Sequence, residues 1–221
     1  YDEIHATIGG KEKLSFNNQL NQIDGAWLRF IKNGSLEEIT TKLTFSHILE
    51  DLGIYVHNSA NAIEKTVDKT RTSSLLALNK IIAPKTIVSI GNLKKIDSKK
   101  NYLLKPIFGS QGKNIELIEN YNKKYKTQAI GNVFYLQEFL GNPNKNKFQD
   151  IRVLVSNHKL ISSMIRTSNH FLTNAYQGAS LKIFKPDKVI KKLSEKVSRV
   201  LNLGYGGIDI KFYRNQYYII E

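Results

Sequence analysis

The first third of the chain alternates between the apolar patterns of strands and of helices. The run AWLRFI at 26–31 predicts a strand, and a second strand is expected at 54–57. Between them, Ser35 and Glu38 have the spacing of a helix capping box. Because alternating strands and helices are typical of α/β layers, residues 1–66 are predicted to be the tail of an α/β domain whose beginning precedes this sequence.

The remaining two thirds of the chain carry mostly strand patterns, interrupted by two helices. Asp68 and Asp187 are expected to cap these helices, and Gly204 is expected to end the second. Two hairpins are predicted, with turns at 157–158 and 214–215, where Asn tolerates positive φ. Further strands are expected at 86–89, 101–105, 114–118 and 133–139. The whole pattern indicates a mixed α/β (α+β) protein.

Composition narrows the class of protein. The 221 residues are 41% hydrophobic, which is enough to bury a sizeable core, and no run approaches the roughly 18 apolar residues of a membrane span. The absence of cysteine excludes disulfides and thiolate metal sites and favours a cytoplasmic location. Since the chain starts at Tyr1 and stops at Glu221 inside an apolar run, we interpret it as a fragment.

The formal net charge of +14 raises the question of an anionic partner. Such a charge is common in proteins that bind nucleic acid or anionic membranes. Here the lysines are scattered over polar links and helix faces, such as Lys191 and Lys192, and Lys, Asn and Ile share A/T-rich codons. We therefore expect solvated lysines in place of a nucleic-acid groove. An Asn/Lys-rich loop at 141–147 is predicted to be flexible.

Two features have residues suited to phosphate and metal chemistry. The stretch LLKPIFGSQGKNI at 103–115 has a lysine before a glycine-containing loop, which fits either a phosphate-binding loop or a hairpin turn. Asp209 and Glu221 lie in the two strands of the last predicted hairpin. Two carboxylates on adjacent strands suit hard cations such as Mg²⁺, although edge-strand charges explain them equally well.

Strand alternation predicts a charged face in the hairpin turned at 157–158. Asp150 and Arg152 share one face of the first strand, and Arg166 lies on the second strand with Ser162 and Met164. A surface salt-bridge ladder and a functional site explain these charges about equally well.

The order of these motifs resembles that of one enzyme family. Seven motifs follow one another along the chain: VDKTRTSSLL, LLKPIFGSQGKNI, FYLQEFL, DIRVLVSNHKLISSMIR, FLTNAYQG, GGIDIKFY and YYIIE. Over about residues 22–221, their order resembles that of the RimK-like branch of the ATP-grasp ligases. The resemblance implies an ATP-grasp fold preceded by the tail of a Rossmann-like pre-ATP-grasp domain. It also implies a lid subdomain at 67–140 and a core subdomain at 141–221, truncated at its end.

The resemblance implies a role for each matching residue. Lys105 and the loop 109–112, which closes over the triphosphate, would contact the phosphates. The hinge at 137–139 would contact adenine, and Asp150 would lie near the ribose. The implied ATP-binding residues are Lys69, Lys105, Gly109, Ser110, Gln111, Gly112, Gln137, Glu138, Phe139, Asp150 and Asn174. Arg152 and Arg166 are the catalytic candidates, and Asp209 and Glu221 are the candidate Mg²⁺ or Mn²⁺ ligands.

Two family features are missing from this sequence. RimK-like enzymes often carry an arginine two residues before the position of Asn174, where this chain has Leu172. The third metal ligand of the family is an asparagine two residues beyond the position of Glu221, so it is expected beyond this sequence.

The implied reaction joins a carboxylate to an amine at the expense of ATP, through an acyl phosphate. Residues 28–73 resemble the tetrahydromethanopterin:α-L-glutamate ligase branch, so the expected partners are ATP, L-glutamate and an anionic carboxylate acceptor. Glutamylation of a ribosomal protein tail and ligation to a carrier protein in lysine biosynthesis are the alternatives within the family. A catalytically silent RNA- or ribosome-binding module is the alternative from another class. No membrane partner is expected, and a homo-oligomer is an assembly that such an enzyme can form.

Overall fold

The computed structural model describes residues 5–10, 14–16, 23–28, 31, 34–91, 93, 96–119 and 131–221. The chain divides into two compact units, residues 1–64 and 65–221. Among the described residues, no helix combines the length and the apolar character needed to cross a bilayer.

The described helices and strands follow one another along the chain as follows. The helices are α1 Leu36–Asp51, α2 Ala60–Val67, α3 Lys69–Leu78 and α4 Lys188–Leu201. The strands are β1 Ala6–Ile8, β2 Leu14–Phe16, β3 Gly25–Trp27, β4 Tyr55–His57, β5 Thr86–Ile90, β6 Tyr102–Leu104, β7 Glu116–Ile118, β8 Val133–Glu138, β9 Phe148–Ser156, β10 Lys159–Ser168, β11 Ser180–Ile183, β12 Tyr205–Tyr213 and β13 Gln216–Ile219.

The first unit contains the predicted strand–helix–strand segment. Strand β3 pairs in parallel with β4, and α1 connects them. The capping box of α1 is confirmed, since the Glu38 amide donates to Ser35 Oγ at 3.2 Å and the Ser35 amide donates to Glu38 Oε2 at 2.7 Å. The predicted strand at 26–31 is observed only to residue 27, and residues 29 and 30 lie outside the described part of the chain.

The second unit contains two antiparallel sheets. Four strands form the smaller sheet in the order β5-β8-β6-β7, and five form the larger one in the order β11-β10-β9-β12-β13. Helices α3 and α4 pack on one face of the larger sheet, where Leu76 and Ile190 join Val153, Val155 and other strand residues in the core. The opposite face carries the polar residues that strand alternation places there, including Asp150 and Asp209.

Local sequence signals account for most of the element ends. The turns at 157–158 and 214–215 are confirmed, and both residues of each turn have positive φ. Asp68 and Asp187 cap α3 and α4, as predicted.

Two element ends differ from the predictions. Gly204 does not end α4, because the left-handed residue after the helix is Asn202, with φ 57°. Asparagine tolerates this conformation better than most residues, so the helix stops earlier. The strand expected at 114–118 starts at residue 116, since Asn114 also has positive φ, 57°.

Candidate functional site

Lys105 lies directly after strand β6 and points into the protein. It is buried, and its Nζ donates to Gln137 Oε1 on β8 at 2.8 Å. Burial lowers the pKa of Lys105, and the nearby Lys69 adds to this effect, while Glu221 and Asp209 oppose it. A buried ammonium group held beside two carboxylates can neutralise the oxygens of a bound phosphate.

The loop 109–112 follows Lys105 and connects β6 to β7. These strands pair with each other, so the loop closes a hairpin, as one of the two interpretations of this stretch expects. Lys69 anchors the loop at its start, because its Nζ donates to the carbonyl oxygen of Gly109 at 2.7 Å. The hydrogen bond from Lys69 therefore fastens the first turn of α3 to the loop of the smaller sheet.

A second anchor holds the other end of this loop. Asn174 Nδ2 donates to the carbonyl oxygen of Gln111 at 2.9 Å, and Gln177 Nε2 donates to the same oxygen at 3.3 Å. A Cβ atom at Gly112 would lie 2.6 Å from Asn174 Nδ2, and Gly112 has φ 70°, so a side chain at this position would be both crowded and strained. Leu172 packs beside the same position, with its Cδ1 3.5 Å from that Cβ, where the family often has an arginine.

A cluster of two arginines and two carboxylates lies on the polar face of the larger sheet. Strand register places Arg166 opposite Asp150 and Arg152 opposite Asp209. Arg166 makes a bidentate pair with Asp150, with Nε–Oδ1 at 2.7 Å and Nη2–Oδ2 at 2.6 Å. The Nη2 atom of Arg166 also lies 2.8 Å from Asp209 Oδ2, and Arg152 Nη1 lies 2.7 Å from Asp209 Oδ1.

Burial sets the electrostatics of this cluster. Burial raises the pKa of Asp150, although hydrogen bonds from Arg166 and Thr173 work in the opposite direction. Burial opposes the charged form of Arg166, but the hydrogen bonds and charges of Asp150 and Asp209 raise its pKa above the usual value. Because Asp150 and Arg166 are buried, the surface salt-bridge ladder is excluded for this pair.

Gly207 makes room for Arg152. A Cβ atom at Gly207 would collide with Cζ, Nε and Nη2 of the Arg152 guanidinium. The glycine thus lets the guanidinium reach Asp209 from the neighbouring strand.

Asp209 and Glu221 lie next to each other, as the hairpin pattern predicts. The amide of Asp209 donates to the carbonyl oxygen of Glu221 at 2.7 Å, and Lys69 Nζ lies 3.6 Å from Glu221 Oε1. Strand β12 lies inside the sheet and Asp209 is buried, so its interpretation as an edge-strand charge is wrong.

The carboxylate oxygens of Asp209 and Glu221 are of the donor type that binds a divalent cation. Carboxylate oxygens are the donors that Mg²⁺ prefers, and each oxygen of Asp209 has a second lone pair besides the one directed at an arginine. Within the described residues there is no group of three or more acidic, histidine or cysteine side chains that could hold a metal.

A narrow cleft of about 60 Å³ lies between the two sheets. Leu103 and Phe139 line it from the smaller sheet, and Asp150, Lys211 and Ile220 from the larger one. Apolar walls with a few polar groups are typical of small-molecule sites, and at about 60 Å³ this cleft would have to widen to admit a nucleotide.

The predicted hinge residues lie in this cleft, but several of their groups are already engaged. Lys100 Nζ donates to both carboxylate oxygens of Glu138, at 2.9 and 2.8 Å. The amide of Glu138 donates to Lys85, and the amide of Phe139 donates to Asn101 at 2.8 Å. A base bound here would use other groups of the hinge.

Thr173 and Lys211 are among the site residues that were not predicted from the sequence. The Thr173 hydroxyl donates a short hydrogen bond to Asp150 Oδ2, and Lys211 lines the cleft. Lys211 could have been found, since it shares a strand face with Asp209 two residues earlier. No local signal identifies Thr173, because its loop contacts Asp150 only through tertiary folding.

The fold and the site define the class of protein. The two sheets line one cleft, with Lys105 in its wall on one side and Asp150 of the arginine–carboxylate cluster on the other, and an anchored glycine loop follows that lysine, which is the arrangement of an ATP-grasp ligase. The chain belongs to the RimK-like ATP-grasp family, and residues 66–221 match the RimK-like ATP-grasp domain.

Curated relatives extend the similarity over nearly the whole chain. The tetrahydromethanopterin:alpha-L-glutamate ligase of Methanococcus maripaludis is 32% identical over 218 residues, which cover 94% of this chain and 73% of that protein. The alpha-aminoadipate–LysW ligase of Saccharolobus solfataricus is 27% identical, over 98% of this chain and 81% of its own length.

Solved structures agree with the fold. The D-alanine–D-alanine ligase of Bacillus anthracis aligns with a TM-score of 0.67 at 13% identity, over 93% of this chain and 72% of that one. The ATP-grasp ligase PsnB, complexed with minimal precursor, Mg and ADP, aligns with a TM-score of 0.65 at 16% identity, over 100% of this chain and 76% of that one. At these identities the likeness shows the ATP-grasp fold alone.

Proposed function

We propose that this ligase joins L-glutamate to the carboxylate of a small anionic cofactor of the tetrahydromethanopterin type, with ATP as the energy source. The observation that carries the proposal is a group of charges: Asp209 and Glu221 act electrostatically on the buried Lys105, and Lys69 contacts both Glu221 and the carbonyl oxygen of Gly109 in the loop 109–112. This arrangement offers cations and backbone groups to the oxygens of a triphosphate.

The reaction follows from what these groups can stabilise. A carboxylate oxygen of the acceptor attacks the γ-phosphorus, the bond to the β-phosphate oxygen breaks, and an acyl phosphate and ADP form. The amine of glutamate then attacks the acyl carbon, loses a proton and displaces inorganic phosphate. Phosphoryl transfer is catalysed largely by positioning and by neutralising charge, so no Cys or Ser nucleophile is required.

The residues would divide these tasks by position. Lys105 and Lys69 would bind phosphate oxygens, and Arg166 and Arg152 would face the transferred group. Asp209 and Glu221 would hold Mg²⁺ or Mn²⁺, which supplies positive charge to the phosphates when bound. The loop from Gly109 through Ser110 to Gly112 would cover the triphosphate and exclude water, with Asn174 as its contact on the other side.

Nucleotide recognition would fall to the cleft between the sheets. Phe139 and Leu103 would contact the base, with Gln137 and Glu138 beside it, and Asp150 would lie near the ribose. Both oxygens of Asp150 accept hydrogen bonds from Arg166, so its role toward ribose would require one of them to accept a further hydrogen bond.

The acceptor is proposed from the relatives. The glutamate ligase named for tetrahydromethanopterin is 32% identical over 94% of this chain. The relative named for alpha-aminoadipate and LysW, at 27% identity, supports a carrier protein as the second candidate. A silent RNA-binding module is disfavoured, since Lys105 and Asp209 are in place and buried. A cytoplasmic location stays a prediction.

The test is a reaction with ATP, Mg²⁺, L-glutamate and a purified tetrahydromethanopterin-type acceptor, followed by mass spectrometry. The expected result is addition of a glutamyl unit to the acceptor with ADP release. Heavy oxygen placed in the acceptor carboxylate should appear in the released phosphate, because the acyl phosphate carries it there. If the pterin is inert and a carrier protein or a ribosomal protein tail gains glutamate, the acceptor proposal is wrong.

A further inference from the structure

A second, larger cavity lies beside the nucleotide cleft. It has a volume of about 780 Å³ and is bounded by the segment 140–147 and by the ends of β9 and β12. The two cavities share Leu140, Gln149, Asp150 and Lys211 as wall residues. Binding sites for small molecules have volumes of roughly 300–1,000 Å³, so this cavity has the size of a ligand site.

Three lysines line this cavity, which we name the lysine cavity: Lys145, Lys147 and Lys211. The described ion pairs, defined by a nitrogen–oxygen distance of at most 4.0 Å, include none of these three ammonium groups. Asp150 is the single acid in the described wall, and its oxygens already accept hydrogen bonds from Arg166 and Thr173. The wall therefore carries an excess of positive charge.

Lys211 is the innermost of these charges. Its Nζ donates to the carbonyl oxygen of Gln149 at 2.6 Å, which leaves further N–H groups of the ammonium for a ligand. An anion bound between Lys145 and Lys211 would relieve their mutual repulsion.

The rest of the wall is aromatic and amide-rich. Phe148 is buried at the base, while Phe212 is 53% exposed and contacts the ring of Tyr217, with centroids 4.9 Å apart. Asn142 and Asn146 lie on the same segment as the two outer lysines. Ammonium and amide groups around an aromatic surface suit a compact organic or inorganic anion.

We propose that the lysine cavity binds a small anion carrying two or more carboxylate or phosphate groups, at a site that adjoins the nucleotide cleft and shares part of its wall. The Asn/Lys-rich composition of the segment 141–147 then supplies ligand contacts. Carboxylate and phosphate share the required chemistry, and the experiment distinguishes the two.

The test is calorimetry on the chain saturated with an ATP analogue and excess Mg²⁺, with tricarballylate and pyrophosphate as separate probes. Saturation fills the nucleotide cleft, so the probes report on the lysine cavity. At least one probe should bind, and the tighter one identifies the carboxylate or phosphate preference. Replacing both outer lysines in K145A/K147A should weaken that probe about a hundredfold, since each charged hydrogen bond accounts for about a factor of ten.

The matched control is K191A/K192A, which removes the same charge from the exposed face of α4. Its affinity for the probe should equal that of the unaltered chain. Lys211 is left unchanged because it also lines the nucleotide cleft. Absence of binding by both probes would overturn the proposal, and so would an equal loss in the two double variants. The measurement needs no turnover, so neither outcome depends on the proposed ligase substrate.

Discussion

Arg166 is the residue whose removal tests the electrostatic design of the site most directly. It is buried, and its guanidinium contacts Asp150 through two hydrogen bonds and Asp209 through one ion pair. In Arg166→Met, Asp209 keeps Arg152 as a partner, whereas Asp150 keeps only the Thr173 hydroxyl among its described direct partners. The substitution thus leaves a buried carboxylate without a cation in contact.

The expected cost is large and depends on pH. Removing one partner of a buried ion pair typically lowers the free energy of unfolding by about 3–5 kcal/mol. Burial already raises the pKa of Asp150, and Arg166 is the strongest influence that lowers it, so the variant should raise this pKa further. A carboxyl with a raised pKa binds its proton in the folded state when the unfolded chain has released it. Stability therefore falls as the pH rises between the usual and the raised pKa.

Urea unfolding at about pH 8 and about pH 5 measures this dependence, because protonation of Asp150 at the lower pH should recover part of the loss. Arg152→Met is the matched control. Among the described ion pairs Arg152 has Asp209 as its single partner. Its side chain is 34% exposed and Asp209 keeps Arg166, so the loss of Arg152 should cost about 1 kcal/mol or less. Equal losses in the two variants, or a loss in Arg166→Met that grows on acidification, would refute the reasoning.

Three further substitutions test separate parts of the site. Lys105→Met should weaken ATP binding by about 1.5–3 kcal/mol, because it removes a charged phosphate donor, and calorimetry with unchanged affinity would contradict the assignment. Asp209→Asn should stay folded by circular dichroism and lose turnover, with partial rescue by Mn²⁺ at most, whereas a near-normal rate with Mg²⁺ would exclude a metal-ligand role. Thr173→Val should lower the free energy of unfolding by about 1.5–3 kcal/mol, since Asp150 loses a buried hydrogen-bond donor. Thr173→Ser keeps the hydroxyl and should retain most of the stability of the unaltered chain. Equal urea midpoints for the two variants would show that the hydroxyl contributes nothing.

The sequence determined the local structure of this protein and the types of residue in its site. The capping box at Ser35, the turn at Asn157 and the caps at Asp68 and Asp187 are local, since each depends on residues within one helical turn or one hairpin. Period-two alternation in β9 and β10 placed Asp150 and Arg166 on the polar face of their sheet, because side-chain direction in a strand follows from chain geometry. The ordered motifs pointed to the family, and the match over residues 66–221 confirmed it.

Only the tertiary structure decided which of these residues meet. Lys69 reaches Gly109 across 40 positions of sequence, and Asn174 reaches Gln111 across 63. Whether Asp150 and Asp209 lay on the surface or inside depended on the pairing of β12 between β9 and β13, and this pairing buries both carboxylates beside Arg166. Alternation fixes the face of a side chain, but burial depends on which strand becomes the neighbour. Strand neighbours are chosen by the packing of the whole sheet against α3 and α4, and no local pattern encodes that choice.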